Sequence, residues 1–489
     1  MVMRLPFDNT YARLPSGFYE RLDPWPVAEP KWVALNRDVA ELLGFDPAAL
    51  DSAEGLAIFA GNVVPEGAEP IATAYAGHQF GGFVPRLGDG RAILLGEVVG
   101  RDGVRRDVQL KGSGPTPYSR RGDGRSALGP VLREYLVSEA MAALGVPTTR
   151  ALAAVWSGEP VYRENVEPGG VFTRVAQSHL RVGTFEYFAA REDRASLEIL
   201  TKYAVSRHYP EAADAEIPAL ALLEGVIGRQ ARLVAHWMSL GFIHGVMNTD
   251  NTSISGETID YGPCAFLDRY DPAKRFSFID ERGRYAYGNQ ANIALWNLAR
   301  LAESLLPLLA EDQETAVARA EAALGGFAGH FQEAWTQRFA AKIGIAEPVA
   351  EDRDQVLAFL DLLSTHGVDF TLAFRHLASA VTPDAEAFQG LFSQPQAVKP
   401  WVEGWRKHLR ERGISAVAAS EIMRKTNPVF IPRNHRIEEV IQAGRQGDFG
   451  PFRRLHEVLQ RPFEEQPESA IYESAPEPHE VVQATFCGT

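Results

Sequence analysis

The pattern of hydrophobic and polar residues along the chain changes character near residue 180. Before that point, strand-like runs lie between glycine-rich turns. One segment, Leu128–Leu144, interrupts them with apolar residues at helical spacing. The dipeptide Asp102-Gly103 predicts a tight hairpin turn between the first two strands. The predicted strands are Arg91–Val99, Arg106–Lys111, Leu152–Trp156, Pro160–Tyr162 and Val171–Val175.

After residue 180 the hydrophobic pattern is mostly helical. One short hairpin, made of Asn251–Ser255 and Glu257–Leu267 around Gly256, is predicted to break this pattern. The segment Gln466–Glu480 is rich in Pro and Glu and is predicted to extend over the surface. The predicted helices are Ala221–Met238, Ala291–Ala310, Gln313–Ala323, Asp354–Leu363, Trp401–Glu411 and Ala416–Arg424.

A small sheet that carries one helix and is followed by a larger helical half is the layout of a protein kinase. We therefore predict an α+β, protein-kinase-like two-lobed fold, with a small β-rich N-lobe and a large, mostly helical C-lobe. The predicted boundaries place the N-lobe at residues 1–177, the C-lobe at 178–465 and a C-terminal tail at 466–489.

Charge and composition narrow the classes of function. The 489 residues carry a formal net charge of -14, which argues against general nucleic-acid binding because phosphate attraction needs an electropositive face. The stretch Arg105–Arg133 is nevertheless basic, so it is either a solvated face or a polyphosphate site. We expect no membrane partner, because no apolar run is long enough to span a bilayer. The start of the chain has no signal-peptide pattern, so a cytoplasmic enzyme is expected.

Lys111 and Glu134 are the first candidates for chemistry. Lys111 ends a predicted strand, and Glu134 lies on the helix that follows. In kinases a strand lysine pairs with a glutamate on the next helix and holds the phosphates of ATP. For any single pair the alternative is an ordinary surface ion pair.

The sequence Gly241–Asn251 resembles the catalytic loop of small-molecule kinases. His244-Gly245 is followed by Val246 where such kinases carry the catalytic Asp, while Asn251 falls in register as a metal ligand. A valine cannot accept a proton. Asp260-Tyr261-Gly262 then resembles the D-F-G motif, whose Asp binds metal. A turn residue and a strand exit are the alternatives for these two motifs, but all the motifs occur together in kinase order.

These motifs lie within longer segments that resemble the selenoprotein O family, pseudokinases that act as protein adenylyltransferases. The resemblance covers most of the chain. It rests on Tyr75–Glu97, Val108–Leu136, Thr173–Phe185, Gly245–Pro263 and Asn427–Ile441.

The resemblance implies that ATP binds in an inverted orientation, so that AMP is transferred to a protein hydroxyl and pyrophosphate leaves. It implies that Gly88, Gly90 and Arg91 form the nucleotide-contacting turn, although a plain hairpin turn would also explain the glycines. It further implies a phosphate-binding role for Lys111, with Glu134 as its partner. A loop over the nucleotide is implied for Asp123 and Gly124, with a plain turn as the alternative. Contacts with the polyphosphate are implied for Arg174 and Arg181, with salt bridges to acidic neighbours as the alternative.

The resemblance also assigns the metal and the base. Asn251 and Asp260 match ligands for Mg²⁺ or Mn²⁺, and Asp250 matches the proton acceptor. A base at Asp250 fits the replacement at Val246, although an isolated Asp at that point would be a helix cap or turn residue. The implied partners are protein substrates with Ser, Thr or Tyr hydroxyls, and the enzyme itself is a candidate acceptor.

Three alternatives stay open at this stage. The first is transfer of UMP from UTP with Mn²⁺, because nothing in the sequence fixes the base of the nucleotide. The second is an ordinary phosphotransferase, against which Val246 argues. The third is a non-catalytic nucleotide-binding pseudokinase, against which the intact set of metal and phosphate residues argues.

The only two cysteines are Cys264 and Cys487, so the chain is not a disulfide scaffold. Family members often carry selenocysteine or cysteine near the C-terminus, and Cys487 lies in that neighbourhood. We hypothesise a reversible disulfide between the two that regulates the enzyme by redox state, with two unpaired thiols as the alternative. The segment Asn427–Ile441 is predicted to be structural, with Asn434 capping a helix that starts near Arg436.

Overall fold

The N-terminal part of the protein is built around one eight-stranded sheet, seen in a computed structural model that describes residues 3–383 and 385–486. Seven of its strands follow in the order β1-β3-β6-β7-β10-β9-β2, and β8 pairs with β10 at the side. The strands of the described residues are β1 (Tyr19–Arg21), β2 (Lys31–Leu35), β3 (Ile71–Thr73), β4 (Gly77–Gln79), β5 (Gly82–Val84), β6 (Ala92–Val99), β7 (Arg105–Lys111), β8 (Ser126–Ala127), β9 (Arg150–Tyr162), β10 (Val166–Ala176), β11 (Phe242–Ile243) and β12 (Ala265–Phe266).

The C-terminal part of the protein is mostly helical. The α-helices of the described residues are α1 (Arg37–Leu42), α2 (Pro47–Leu50), α3 (Ala53–Phe59), α4 (Leu128–Ala143), α5 (Val182–Ala189), α6 (Arg194–His208), α7 (Pro218–Leu240), α8 (Gln290–Leu309), α9 (Gln313–Lys342), α10 (Asp352–His366), α11 (Phe370–Leu377), α12 (Glu386–Gln389), α13 (Pro395–Glu411), α14 (Ala416–Thr426), α15 (Asn434–Arg445) and α16 (Gly450–Leu459). The predicted α+β class with a sheet first and helices later is therefore confirmed. The residue boundaries of the lobes stay a prediction.

The central hairpin of the sheet sets the direction of two charged side chains. Strands β6 and β7 pair antiparallel through a turn in which Gly103 has φ +77°, as the Asp-Gly pattern predicts. Successive side chains of a strand alternate between faces, so Gln109 and Lys111 share one face of β7. Strand β10 pairs with β7 in a register that places Arg174 opposite Gln109. The register thus brings Lys111 and Arg174 to the same face of the sheet.

Helix α4 lies between the sheet and the C-terminal helices. It contacts β9 and β10 on one side and α15 and α16 on the other. Because it is covered on both sides, even its charged Arg133 and Glu134 are buried. Arg133 forms an ion pair with Glu438 of α15 at 2.5 Å. The helix that carries Glu134 is therefore held from both sides.

The predicted hairpin between Asn251 and Leu267 is wrong. In the structure Ser253 bridges to Arg181 and Thr258 bridges to Thr148, so this segment pairs with other parts of the chain. Farther on, β12 pairs with β11. The polar side chains of this segment are buried, and they gain hydrogen bonds from neighbouring segments that a local hairpin would not supply.

The segment Asn427–Ile441 holds the last helices against the rest of the molecule. Asn434 is the first residue of α15, and its side chain bonds the backbone N and O of Phe266. The predicted helix cap at Asn434 is therefore wrong, because the side chain pairs with β12. Arg433 is buried and donates to Asp369 at 2.6 Å and to Asp268 at 3.3 Å. These contacts agree with a structural role for the segment.

The C-terminal tail runs back to the segment 263–278. After a short 3-10 helix at Pro467–Tyr472, in place of the extended chain predicted there, it reaches Thr485. Thr485 pairs in parallel with Ser277, and its Oγ1 donates to the carbonyl of Pro263 at 2.6 Å. Across the described residues, no helix combines the length and apolar character needed to cross a membrane.

Candidate functional site

Five charged residues that the sequence analysis predicted for the site lie together in one cluster. Lys111 Nζ donates to Glu134 Oε2 at 2.6 Å and to Asp260 Oδ1 at 3.0 Å. Arg174 Nη1 lies 2.5 Å from the same Asp260 oxygen, and Arg181 Nη1 lies 3.0 Å from Asp260 Oδ2. Both carboxylate oxygens of Asp260 therefore accept from cationic side chains. The structure brings the predicted strand lysine, helix glutamate, two arginines and metal-binding aspartate together.

Different elements deliver these side chains to one point. Lys111 ends β7, Glu134 lies in the middle of α4, and Arg181 immediately precedes α5. Arg174 on β10 is oriented by Gln109, whose Oε1 accepts from Arg174 Nε at 2.7 Å. Asp260 has φ +64°, a left-handed conformation that is uncommon outside glycine but tolerated by Asp. Such backbone conformations concentrate at functional sites.

The electrostatics of the cluster favour an anionic ligand. Burial raises the pKa of the Asp260 carboxyl, but Arg174, Lys111 and Arg181 outweigh burial and hold it well below its usual range. Arg181 is almost fully buried, and its Nε and Nη2 have no hydrogen-bond partner in the described residues. Buried donors are normally satisfied, so these N–H groups are suited to phosphate oxygens.

The glycine-rich turn lies against the loop between β7 and β8. Gly88 has φ +62°, and a Cβ there would lie 2.3 Å from the ring of Tyr118. A Cβ on Gly90 would lie 2.9 Å from the carbonyl oxygen of Tyr118. Asp89, between the two glycines, accepts from Thr73 and Gln109, which anchors the turn to β3 and β7. The sequence analysis did not single out Asp89, because the glycine-rich motif was recognised by Gly88, Gly90 and Arg91.

Arg91 and the loop residues Asp123 and Gly124 lie outside the charged cluster's hydrogen bonds. The carbonyl of Arg91 accepts from Gly112 N, which joins the turn to the end of β7. Asp123 forms an ion pair with Arg163 at 2.9 Å. Gly124 has φ +65° and packs on Gly114, where a Cβ would lie 2.0 Å from the carbonyl oxygen. A contact between these residues and a nucleotide therefore stays a prediction.

Asp250 and Asn251 lie in a 3-10 turn beside the cluster. Asn251 Nδ2 donates to the carbonyl of Val246 at 3.0 Å, which leaves its Oδ1 available as a ligand. The backbone carbonyl of Asp250 accepts from Arg181 Nη1 at 2.6 Å, so Arg181 links this turn to Asp260. Asp250 Oδ1 is buried and has no hydrogen-bond partner in the described residues. Burial raises the pKa of Asp250 to about 6.

A hairpin formed by β4 and β5 covers this turn, and sequence reasoning gave it no role. Gln79 Nε2 lies 3.2 Å from Asp250 Oδ2, and the backbone N of His78 donates to Thr249 Oγ1 at 2.7 Å. His78 and Thr249 both contact the Glu186 carboxylate at 2.5 Å. The only signal in the sequence was the short run Tyr75–Val84, whose glycines obscure a strand pattern.

The residues present fit a metal that is shared with phosphates. No group of three or more His, Cys, Asp or Glu side chains suited to a metal occurs in residues 3–383 and 385–486. Asn251 and Asp260 supply oxygen donors, the kind that Mg²⁺ prefers, and Mg²⁺ commonly takes its remaining ligands from substrate phosphates and water. A dedicated protein cage is therefore not needed.

Comparison with known proteins identifies the group to which this chain is related. The sequence profile described as "Protein adenylyltransferase SelO" matches residues 1–460. A "Protein nucleotidyltransferase YdiU" of Methylorubrum populi is 60% identical, with 100% of both chains covered. Proteins with the same name from Bradyrhizobium and Rhodopseudomonas palustris are 57% and 58% identical, again over 100% of both chains. The chain belongs to the SelO family, as its motifs indicated.

Proposed function

We propose that this protein is a protein adenylyltransferase with a kinase-like fold, which transfers AMP from ATP to Ser, Thr or Tyr hydroxyls and releases pyrophosphate. The observation that carries the proposal is the position of Asp250. Its buried, unpartnered Oδ1 lies beside the cationic cluster, while Val246 replaces the base of an ordinary kinase. Membership of the SelO family supports the same reaction.

The polyphosphate of ATP is proposed to bind Lys111, Arg174 and Arg181. A guanidinium can hold two phosphate oxygens, and Arg181 has two nitrogens, Nε and Nη2, without a hydrogen-bond partner in the described residues, although Nη2 lies 3.9 Å from Asp89 Oδ1. Glu134 keeps Lys111 in place at 2.6 Å. The glycine turn at Gly88 and Gly90 is proposed to contact the nucleotide through its surface and not through these two N–H groups, because Gly88 N donates to Tyr75 O at 3.0 Å and Gly90 N to Gly88 O at 2.9 Å.

A divalent cation, Mg²⁺ or Mn²⁺, is proposed to bind between Asn251 and Asp260. When bound, it offsets phosphate charge and orients the nucleotide. Asp260 Oδ1 accepts from Lys111 and Arg174, whereas Oδ2 accepts from Arg181 alone. An ionised carboxylate has about four lone-pair positions, so Oδ2 would keep one with which to hold the metal.

Asp250 is proposed to accept the proton of the acceptor hydroxyl. The hydroxyl oxygen then forms a bond to the α-phosphorus, and the bond from this phosphorus to the oxygen bridging to the β-phosphate breaks. Pyrophosphate leaves, stabilised by the arginines. A carboxyl with a pKa near neutrality is suited to this role, and Gln79 fixes its orientation through Oδ2.

UMP transfer from UTP is the second candidate. The relatives carry the broader name "Protein nucleotidyltransferase", which specifies no base. Phosphoryl transfer is less well supported, because the position of an ordinary kinase base is occupied by Val246. A non-catalytic role leaves the unpartnered oxygen of Asp250 without an explanation.

Redox regulation through Cys264 and Cys487 is proposed as part of this function. Cys487 lies outside the described residues. Cys264 is buried one residue after Pro263, whose carbonyl binds Thr485 of the tail. The tail therefore approaches Cys264 two residues before Cys487. We propose that the enzyme works in the cytoplasm. Equal activity with and without reductant, in both the native protein and Cys264→Ala, would contradict redox regulation.

Intact-protein mass spectrometry tests the reaction. The protein is incubated with ATP or UTP and Mg²⁺ or Mn²⁺, with and without a generic protein substrate, beside the Asp260→Ala variant. A gain of one AMP that the variant loses supports adenylyl transfer and the metal ligand together. A gain of one phosphate overturns the proposal, and a gain of one UMP selects the second candidate.

A further inference from the structure

A cationic and aromatic surface lies beside Asp250 and is not used by the proposed nucleotide site. We name it the acceptor surface and define it by Gly81, Phe83, Arg284 and Trp296. Arg284 Cζ lies 4.6 Å from the centre of the Trp296 ring. It also lies close to the tip of the β4–β5 hairpin, where a Cβ on Gly81 would be 3.7 Å from it. Phe83 on the same hairpin is 41% exposed.

Arg284 carries a charge without a carboxylate partner in the described residues. It forms none of the ion pairs found there, and its Nε is buried without a hydrogen-bond partner. The nearby Asp280 uses its carboxylate oxygens to accept from the backbone N of Arg284 and of Tyr285. Arg300, whose Cζ lies 4.8 Å from the centre of the Trp296 ring, pairs with Glu303 at 2.6 Å. Arg284 is therefore the unpaired cation of this surface.

Asn248, which precedes the turn that carries Asp250, bonds two chain neighbours of the acceptor surface, Phe80 and Tyr285. Asn248 Oδ1 accepts from the Tyr285 hydroxyl at 2.6 Å and from the backbone N of Phe80 at 3.1 Å. Gln79, which donates to Asp250, and Gly81, which lies near Arg284, are two residues apart, so at most about 7 Å of chain separates them. A polypeptide whose hydroxyl faces Asp250 therefore passes close to Arg284.

We infer that the acceptor surface binds the protein substrate through an Asp or Glu carboxylate close to the modified hydroxyl. The inference rests on the proposed function and adds the chemistry of the acceptor to it. A half-buried guanidinium binds a carboxylate well, and a stacked, pre-oriented one loses little freedom on binding. Phe83 and Trp296 provide aromatic surface for the neighbouring part of the acceptor chain. In a protein of net charge -14, an unpaired arginine beside the base selects acidic partners locally.

A peptide library tests the inference. Peptides with a central Ser, Thr or Tyr carry Glu, Gln or Lys at each flanking position in turn, and ATP is labelled at the α-phosphate. We expect Glu to be favoured over Gln at one or two flanking positions by about tenfold, the ratio expected for one charge-assisted hydrogen bond. Arg284→Gln is expected to remove this ratio, and Arg284→Lys to retain part of it. Arg194→Gln, which breaks an exposed ion pair with Glu198 on α6, is the matched control.

A binding assay separates the acceptor surface from the reaction. The same library is passed over immobilised Asp250→Asn protein, with and without Arg284→Gln, and the retained peptides are sequenced. Retention of Glu-containing peptides that depends on Arg284 supports the inference. Equal retention and equal labelling of Glu and Gln peptides overturn it, while α-phosphate label on any peptide still supports AMP transfer. A parallel reaction uses ATP labelled at the γ-phosphate. Label transferred there overturns the proposed function, and the retention result still decides the inference.

Discussion

At the scale of single residues, Arg181 connects the two halves of the site's chemistry. One of its nitrogens donates both to Asp260 and to the backbone carbonyl of Asp250. Its ring contact with Tyr75, at 4.5 Å from the ring centre, holds the guanidinium in place. The remaining nitrogens are buried and have no hydrogen-bond partner in the described residues, with Asp89 Oδ1 3.9 Å from Nη2. A ligand that binds these nitrogens therefore also affects the position of the proposed base.

Replacement of Arg181 tests this link. Arg181→Gln removes the charge and the two nitrogens that have no hydrogen-bond partner, so we expect ATP affinity in the presence of Mg²⁺ to fall about tenfold to a hundredfold. Isothermal titration calorimetry measures the affinity, and Arg194→Gln serves as the control. Unchanged affinity would mean that the phosphates do not reach Arg181.

Glu257 gives the protein a stability that depends on pH. Burial raises its pKa to about 7 from an ordinary 4.5, although Gln177 N and Ser255 Oγ donate to it. Between these values the carboxyl is ionised in the unfolded chain and protonated in the folded one. The free energy of unfolding therefore falls as pH rises through this window, by at most about 3 kcal/mol.

We expect Glu257→Gln to flatten this dependence. Melting temperatures of the native protein and the variant are compared at about pH 5 and about pH 8, an interval that contains most of the range between the two pKa values. The drop on going to the higher pH should be smaller in the variant, which has no carboxyl to ionise. An equal drop in both proteins would show that Glu257 does not titrate in this range.

At the scale of elements, the β4–β5 hairpin positions the proposed base. Its turn places both Phe80, at φ +51°, and Gly81, at φ +87°, in the left-handed region that two-residue hairpin turns require. The cost of this conformation for Phe80 is about 1–3 kcal/mol. The ring of Phe80 packs against Tyr285 at 5.1 Å, which offsets part of that cost.

Two glycines of the hairpin form a matched pair for mutagenesis. A Cβ on Gly77 would lie 2.7 Å from Asp250 Oδ1, whereas a Cβ on Gly82 would lie 3.4 Å from the carbonyl of Gln79. We expect Gly77→Ala to lower the rate of AMP transfer at saturating ATP on the order of a hundredfold, because it displaces the base. Gly82→Ala should have little effect. Similar rates for the two variants in a transfer assay would argue against Asp250 as the base.

Sequence reasoning succeeded for elements with strong local periodicity. Strands β6 and β7 and helix α4 lie within one residue of their predicted bounds. Helix α9 was predicted to end at Ala323 but continues to Lys342, through Gly325 and Gly329, which have open space around them. Packing of α9 against α7 and α8 overrides the low helix propensity of glycine, about 1 kcal/mol per residue.

The site residues that the sequence predicted are those in local motifs, and the ones that it missed are joined by long-range contacts. The motifs identified Lys111, Glu134 and Asp260, because fixed spacing in sequence reflects a fixed strand and helix. The contact between Gln79 and Asp250 joins residues 171 apart, so no local pattern indicates it. Arg284 was missed for the same reason, since its neighbours Gly81 and Trp296 come from separate parts of the chain.

At the scale of the whole molecule, the tail holds the segment 263–278 that follows the Asp-Tyr-Gly motif. Thr485 N donates to Phe276 O at 2.7 Å and its carbonyl accepts from Phe278 N at 3.2 Å. The Phe278 and Phe486 rings lie 5.1 Å apart. The segment therefore gains a strand-like partner from the end of the chain.

Two truncations separate this pairing from the chemistry of Cys487. Removal of residues 481–489 deletes Thr485, Phe486 and Cys487. Removal of residues 487–489 deletes Cys487 and keeps Thr485 and Phe486. Under reducing conditions we expect the longer truncation to speed proteolysis within 263–289 and the shorter one to leave it unchanged. Mass spectrometry of the fragments locates the cuts, and equal cleavage in both variants would contradict a role for the backbone pairing.

The pairing of the tail has a consequence for the newborn protein. Thr485 and Pro263 are 222 residues apart, so at ordinary elongation rates Thr485 is added about 10 to 40 s after its partner. During that interval the segment 263–278 of every nascent chain lacks the tail residues that pair with it. The ribosome therefore delivers Thr485 long after the segment that it pairs with, and each molecule passes through a stage in which that segment has no partner from the tail.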